Sequence, residues 1–261
     1  MRLLVAILAL LASASALAHP EDELCVPGED GMDPELCAML AEMNSAEGAL
    51  DQTGNEELLA GLEERRGFFE TLRIYVRIGI GHILPDGADH IFFVLAIFLA
   101  SVHLKALVWQ ISAFTVAHTF TLGLAAVGLI TPAPAIVEPL IAFTIAFVAI
   151  ENLIFSDMAK WRPLVVFGFG LVHGLGFAGF FGELGLPPGQ FWSALIGFNL
   201  GVEIGQLSVI AVAAVIGFGL RRALRDPAGE AGYRNWVVRP ASAVIGLTGL
   251  YWGIARLSGL G

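Results

Sequence analysis

The residues GHILPDGADHIFFVLAIFLA, 81–100, hold His82, Asp86, Asp89 and His90 around a Pro-Asp-Gly turn, and then run into an apolar stretch. Imidazole and carboxylate together are the donors of a divalent first-row metal site. Comparable residues recur in later apolar stretches. His118 lies in FTVAHTFTL, Glu138 in VEPLIAF, and Glu151 and Asn152 in AIENL. His173 lies in FGLVHGLGF, and Asn199, Glu203 and Gln206 lie in FNLGVEIGQL. The last three are spaced by four and three, which puts them on one helical face. Ionisable side chains are costly at bilayer depth and mark functional sites there. Cysteine is absent from these stretches and no methionine cluster occurs in them, which disfavours a Cu(I) route and leaves Ni, Co, Zn or Fe.

Each residue also has a plainer reading. His118 can be a hydrogen-bonded link between helices. Asp86 can shape the turn, and Asp89 can cap the helix that follows. Glu138 can be a first-turn acid at a helix start. The glycines between 168 and 179 serve close helix packing. These readings weaken together, because four of the six histidines lie in or beside the apolar stretches with carboxylates on neighbouring ones. The residues therefore predict metal ligation by His82, Asp86, Asp89, His90, His118, His173 and Glu203. Glu138, Glu151, Asn152, Asn199 and Gln206 are expected to line a translocation path.

The elements that must hold these residues follow from composition. The 261 residues are 56% hydrophobic and 15% charged, with a mean hydropathy of +0.76. Soluble domains carry about 25% charged residues, so an integral membrane protein is expected. Six apolar stretches cover residues 88–103, 106–130, 136–155, 163–181, 190–220 and 238–257. The predicted fold is all-α and polytopic, with six transmembrane helices and a broken or interfacial helix before the first. Residues 68–87 are read as an amphipathic interfacial helix and turn, with Arg73 and Arg77 on one face. Residues 88–261 form the six-span domain. The last stretch, without acid or histidine, is expected to be scaffold.

The N-terminal third is different. Residues 1–18 have the pattern of a secretory signal peptide ending in Ala16-Leu17-Ala18. Residues 19–67 form an acidic periplasmic segment, and 14 of the 24 acidic residues lie between Glu21 and Glu64. Its two cysteines, Cys25 and Cys37, predict a small disulfide loop in an oxidising compartment; a cysteine metal site is the alternative. Lysine and arginine cluster in the connections after alternate stretches, which places those connections inside by the positive-inside rule and agrees with export of the N-terminal segment. No basic stripe suits nucleic acid, and no G-x-x-x-x-G-K-[ST] motif suggests an ATP site. The expected partners are a transition-metal ion and the lipid bilayer. A homo-oligomer is left open, and no permanent cofactor is expected.

The strings GHILPDGADHIFF, AFTVAHTFTLGLAA, VEPLIAFTIAFVAIEN, FGFGLVHGLGFA and FNLGVEIGQL resemble the HupE/UreJ family, in matching order over roughly residues 72–257. The resemblance implies a secondary permease for Ni²⁺ or Co²⁺ in a bacterial inner membrane, not an enzyme. It carries Asp89, His90 and His173 over most directly. Six residues separate His82 from Asp89 where the family pattern has five. His173-Gly174 is followed by Leu175-Gly176-Phe177-Ala178 rather than by a further His and Glu. Two other classes remain beside the permease. One is an intramembrane metal-dependent hydrolase. The other is a metal-sensing or assembly protein without flux.

Overall fold

A computed structural model describes residues 67–100, 103–155, 161–177, 189–223 and 232–259. The signal-peptide reading, nearly all of the acidic segment, and Cys25 with Cys37 lie outside these residues. The described part is all-helical: α1 Phe68–Ile83, α2 Ala88–Ala100, α3 Leu104–Ala126, α4 Pro134–Ile154, α5 Arg162–Gly176, α6 Phe191–Ala223 and α7 Arg239–Leu257. A π-helical turn, Arg234–Val238, leads into α7 without a break.

Each apolar stretch coincides with a helix, but the helices are not equal. Four are long and apolar enough to cross a membrane: α3, α4, α6 and the continuous Arg234–Leu257. The pair α1 and α2 meets the same standard together, bent by 73° at the Leu84–Gly87 break, as a broken span or a re-entrant loop. That gives four spans, or five with the pair counted as one. Six is not reached among the described residues because α5 has only 15 of them. The expected first span is also short of a crossing by itself: α2 has 13 residues, about 20 Å at 1.5 Å per residue.

Three helix pairs pack backbone to backbone, and each does so through glycine. In α1, the buried residues Thr71, Tyr75, Gly79 and Ile83 recur every fourth position, so one stripe faces α6. Opposite it, Gly197, Gly201 and Gly205 on α6 are also four apart. A Cβ on Gly201 would strike the Val76 carbonyl, and one on Gly197 would sit 2.5 Å from the Leu72 carbonyl. The same device joins α3 to α5, where Gly170 and Gly174 lie against the carbonyls of Phe114 and His118. It joins α4 to α7 at Gly249, against Ala142 and Ala146. Small residues of this kind let helices approach where lipid supplies no hydrophobic drive.

The short helix α2 packs against α3, α4, α6 and α7. Its Phe93, Val94, Ala96 and Ile97 are fully buried. A helix that is apolar on all sides belongs inside a bundle, and α2 is central for that reason. Around it Phe114, Phe198, Leu107, Ile111 and Ile145 form the core. Outward-facing Trp109, Val116, Phe120, Val215, Phe218, Leu247 and Tyr251 are exposed, as lipid contact requires.

The close approach of α1 and α6 gives a direct test. Gly201→Ala should destabilise the protein by about 1–3 kcal/mol through overpacking, whereas Gly219→Ala, with nothing within 4 Å of an added Cβ, should not. Thermal unfolding of the two purified variants in detergent measures the difference, and equal unfolding temperatures would contradict the packing described.

Candidate metal centre

The break between α1 and α2 brings the first two imidazoles together. His82 stands in the last turn of α1 and His90 in the first turn of α2. Gly87 makes the reversal feasible, because a Cβ there would collide with the His82 carbonyl. The two ring centroids are 4.8 Å apart. His118 on α3 completes the group at 6.5 Å from His82 and 6.0 Å from His90. One ring nitrogen from each of the three lies within 4.8 Å of the others. His118 and His90 are buried and His82 half-buried.

In all three rings Nε2 is buried and has no hydrogen-bond partner. The walls explain this. Phe114 and Phe198 each stack near His118, at 6.1 and 6.3 Å between centroids. Phe177 lies 3.9 Å from the His82 ring and is itself stacked on Phe198. Such walls offer no hydrogen-bond acceptor or strong donor, so the imidazole nitrogens face one another across an apolar box.

Asn199 fixes the orientation of His118. Its amide nitrogen donates to the Leu195 carbonyl at 2.8 Å, which leaves Oδ1 facing His118 Nδ1 at 2.9 Å. An amide oxygen only accepts. His118 Nδ1 therefore carries the proton, and Nε2 presents a lone pair to the group. This is the arrangement of a metal-ligating imidazole, whose far nitrogen is held by a fixed acceptor. Asn199 thus acts behind the imidazole rather than beside it as an oxygen donor.

His173 on α5 lies next to the group without joining it. Its ring is 5.1 Å from His90, and Nε2 is 2.9 Å from Thr144 Oγ1.

The carboxylates are elsewhere. Asp89 is bound through Oδ2 to Arg256 on α7 at 2.9 Å, and the guanidinium also donates to the Glu138 carbonyl at 3.1 Å. The Glu138 side chain is exposed, as is Asp86 in the turn. Glu203 is half-buried and accepts a bond from Ser112 at 2.6 Å. Next to it Gln206 accepts from Thr115 at 3.3 Å. Of the residues expected as ligands, the structure groups His82, His90 and His118 and places Asp86, Asp89, His173 and Glu203 outside that group. Among the described residues, the three-histidine group contains no acid.

Glu151 and Asn152 form a separate buried knot toward the other end of α2. Arg162 pairs with Glu151 at 3.6 Å and donates to Asn152 Oδ1 at 3.3 Å. The Asn152 amide donates to the Ala96 carbonyl of α2 at 2.8 Å, and Arg234 donates to the Asn152 and Phe155 carbonyls. The knot joins α2, α4, α5 and the start of α7.

Sequence reasoning overlooked Arg256, Arg162 and Thr144. A lone arginine near the end of an apolar helix was the available signal for Arg256. Arg162 reads as an ordinary connection residue until it is seen to be 3% exposed. Thr144 gives no signal, being one threonine in an apolar run.

Breaking the knot from one side should be costly. Glu151→Ala leaves the Arg162 charge buried without its counter-charge and should lower stability by about 3 kcal/mol. The paired change Glu151→Leu with Arg162→Met should recover most of that loss. Detergent-solubilised protein melted by circular dichroism gives both values, and an additive loss in the double variant would contradict the pairing.

No curated protein and no solved structure matches the chain. The family described as HupE / UreJ protein matches residues 61–256, about three quarters of the sequence and all seven described helices but for the last residue of α7. The chain therefore belongs to the HupE/UreJ family, and the imidazole group lies inside the matched region.

Proposed function

We propose that this protein is a permease for a divalent transition metal, Ni²⁺ or Co²⁺, and that His82, His90 and His118 form its transient binding site. The HupE/UreJ family is associated with nickel and cobalt transport, and it is a family of transporters rather than enzymes. One observation carries the reading for this chain. Three imidazoles on three helices bring a ring nitrogen each within 4.8 Å of the others, and each ring has a buried Nε2 without a hydrogen-bond partner. A buried polar atom left unpaired costs about 1–3 kcal/mol, and a metal ion is the partner that satisfies three imidazole lone pairs at once.

The donor set also fits cargo better than a resident ion. Neutral imidazoles suit Ni, Co, Zn and Fe by softness but leave the charge of the ion uncompensated. In an apolar box that limits affinity and favours release. Asp86, exposed in the break, is a cation-attracting group outside the box, and Asp89 beside it is paired with Arg256. The Ser112–Glu203 and Thr115–Gln206 pairs extend the polar lining along α3 and α6. In the full reading there are six crossings, with α5 as the short one and α1–α2 as a broken one. Interrupted helices at the binding depth are characteristic of secondary transporters. The N-terminal segment lies in the periplasm and the arginine-bearing connections in the cytoplasm of a bacterial cell.

The test is the metal content of cells by mass spectrometry. Cells expressing the wild type, His90→Ala or His118→Ala at matched membrane levels are offered Ni, Co, Zn, Fe and Mn separately. Selective accumulation of Ni or Co in the wild type, reduced by about tenfold or more in both variants, is expected. Uptake should also fall as the outside pH drops, because protons compete for the imidazole lone pairs. Folded wild-type protein that accumulates none of the metals would overturn the proposal.

A further inference from the structure

We infer that Thr144 is a positioning residue of the metal site: its hydroxyl holds His173 in the Nε2–H form, so that the lone pair on Nδ1 is presented beside the three-histidine group as a fourth nitrogen donor. This rests on the metal-binding reading of that group and adds a residue whose part in it is to set a tautomer.

Thr144 Oγ1 lies 2.7 Å from the Ile141 carbonyl oxygen and 2.9 Å from His173 Nε2. A carbonyl oxygen has no hydrogen to give, and a hydroxyl has one. The 2.7 Å contact is therefore the threonine O–H donating to Ile141. With that hydrogen committed, the contact with His173 must be Nε2–H donating to the threonine oxygen. The reverse assignment would leave two oxygens 2.7 Å apart with no hydrogen between them. A neutral imidazole carries one proton, so Nδ1 bears the lone pair.

That nitrogen is buried and without a hydrogen-bond partner. Its ring is 1% exposed and sits against His90, Phe93 and Phe114, at 5.1, 5.1 and 5.0 Å between centroids. The arrangement mirrors Asn199 behind His118 with the two ring nitrogens exchanged: there Nδ1 is held and Nε2 is free, here Nε2 is held and Nδ1 is free. Two acceptors on two helices, α4 and α6, thereby leave a lone pair on each of two rings that pack against His90. His173 stands outside the tight group of three, so its entry needs the rings to draw together around an ion. Four imidazole nitrogens would then be available to hold the ion.

The test uses the full-length protein, isotopically labelled at histidine, in detergent without metal. Long-range proton–nitrogen correlation spectra read the tautomer of each ring directly. The wild type should show His173 protonated at Nε2 and His118 protonated at Nδ1. Thr144→Val should shift His173 away from the Nε2–H form and weaken Ni²⁺ or Co²⁺ binding, measured by calorimetry, by about tenfold. Thr144→Ser should restore both. An unchanged His118 spectrum certifies that the valine variant is folded; if that spectrum collapses, the serine variant alone decides, and it must match the wild type in both readouts. Wild-type His173 protonated at Nδ1, or a valine variant that loses affinity with its tautomer unchanged or keeps its affinity with the tautomer changed, would overturn the inference. Wild-type protein that binds neither ion defeats the permease reading itself, and the spectra then decide the tautomer separately.

Discussion

The unpaired imidazole nitrogens are the constraint around which the bundle is arranged. Buried polar atoms are normally satisfied inside an apolar interior, and here three clustered imidazoles each keep a buried Nε2 without a partner. Keeping them so needs rigid surroundings that admit no competing hydrogen-bonding group. The phenylalanine walls supply that exclusion. The glycine-lined pairs α1–α6 and α3–α5 supply the rigidity, since each brings an imidazole-bearing helix hard against its neighbour. The break before α2 supplies the convergence, because a straight helix would carry His82 and His90 about 12 Å apart along its axis.

Charge is kept out of the box and used to tie the helices beside it. Asp89 with Arg256 joins the start of α2 to the end of α7, and Arg256 reaches α4 through the Glu138 carbonyl. Glu151 with Arg162, together with Asn152, joins the other end of α2 to α4 and α5. These acids are engaged with arginines rather than offered to an ion. Among the described residues the three-histidine group contains no acid. Neutral ligation inside and ionic ties outside suit an ion that enters, is held through nitrogen, and leaves.

Much of this was readable in the sequence, and the rest was not for identifiable reasons. Hydropathy located the helices, because lipid-facing and core-facing positions are both apolar and leave long unmistakable runs. The Pro-Asp-Gly turn between His82 and His90 announced a break with imidazoles on both sides. The face formed by Asn199, Glu203 and Gln206 was legible from spacing, and it does meet α3. What spacing cannot report is which partner each polar group takes. Asp89 is bound to a residue 167 positions away. Asn199 takes the back of an imidazole rather than an ion, a choice made by the Leu195 carbonyl one turn earlier. Six crossings were expected, and among the described residues four to five helices reach the length of one, because the break leaves α2 at 13 residues and α5 has 15.

The central claim is ligation by imidazole, and X-ray absorption of the purified full-length protein loaded with one equivalent of Ni²⁺ or Co²⁺ tests it most directly. The account predicts a first shell of nitrogen with the outer-shell scattering of at least three imidazole rings, reduced by one ring in His118→Ala. A first shell of oxygen from water and carboxylate, indifferent to that substitution, would contradict it.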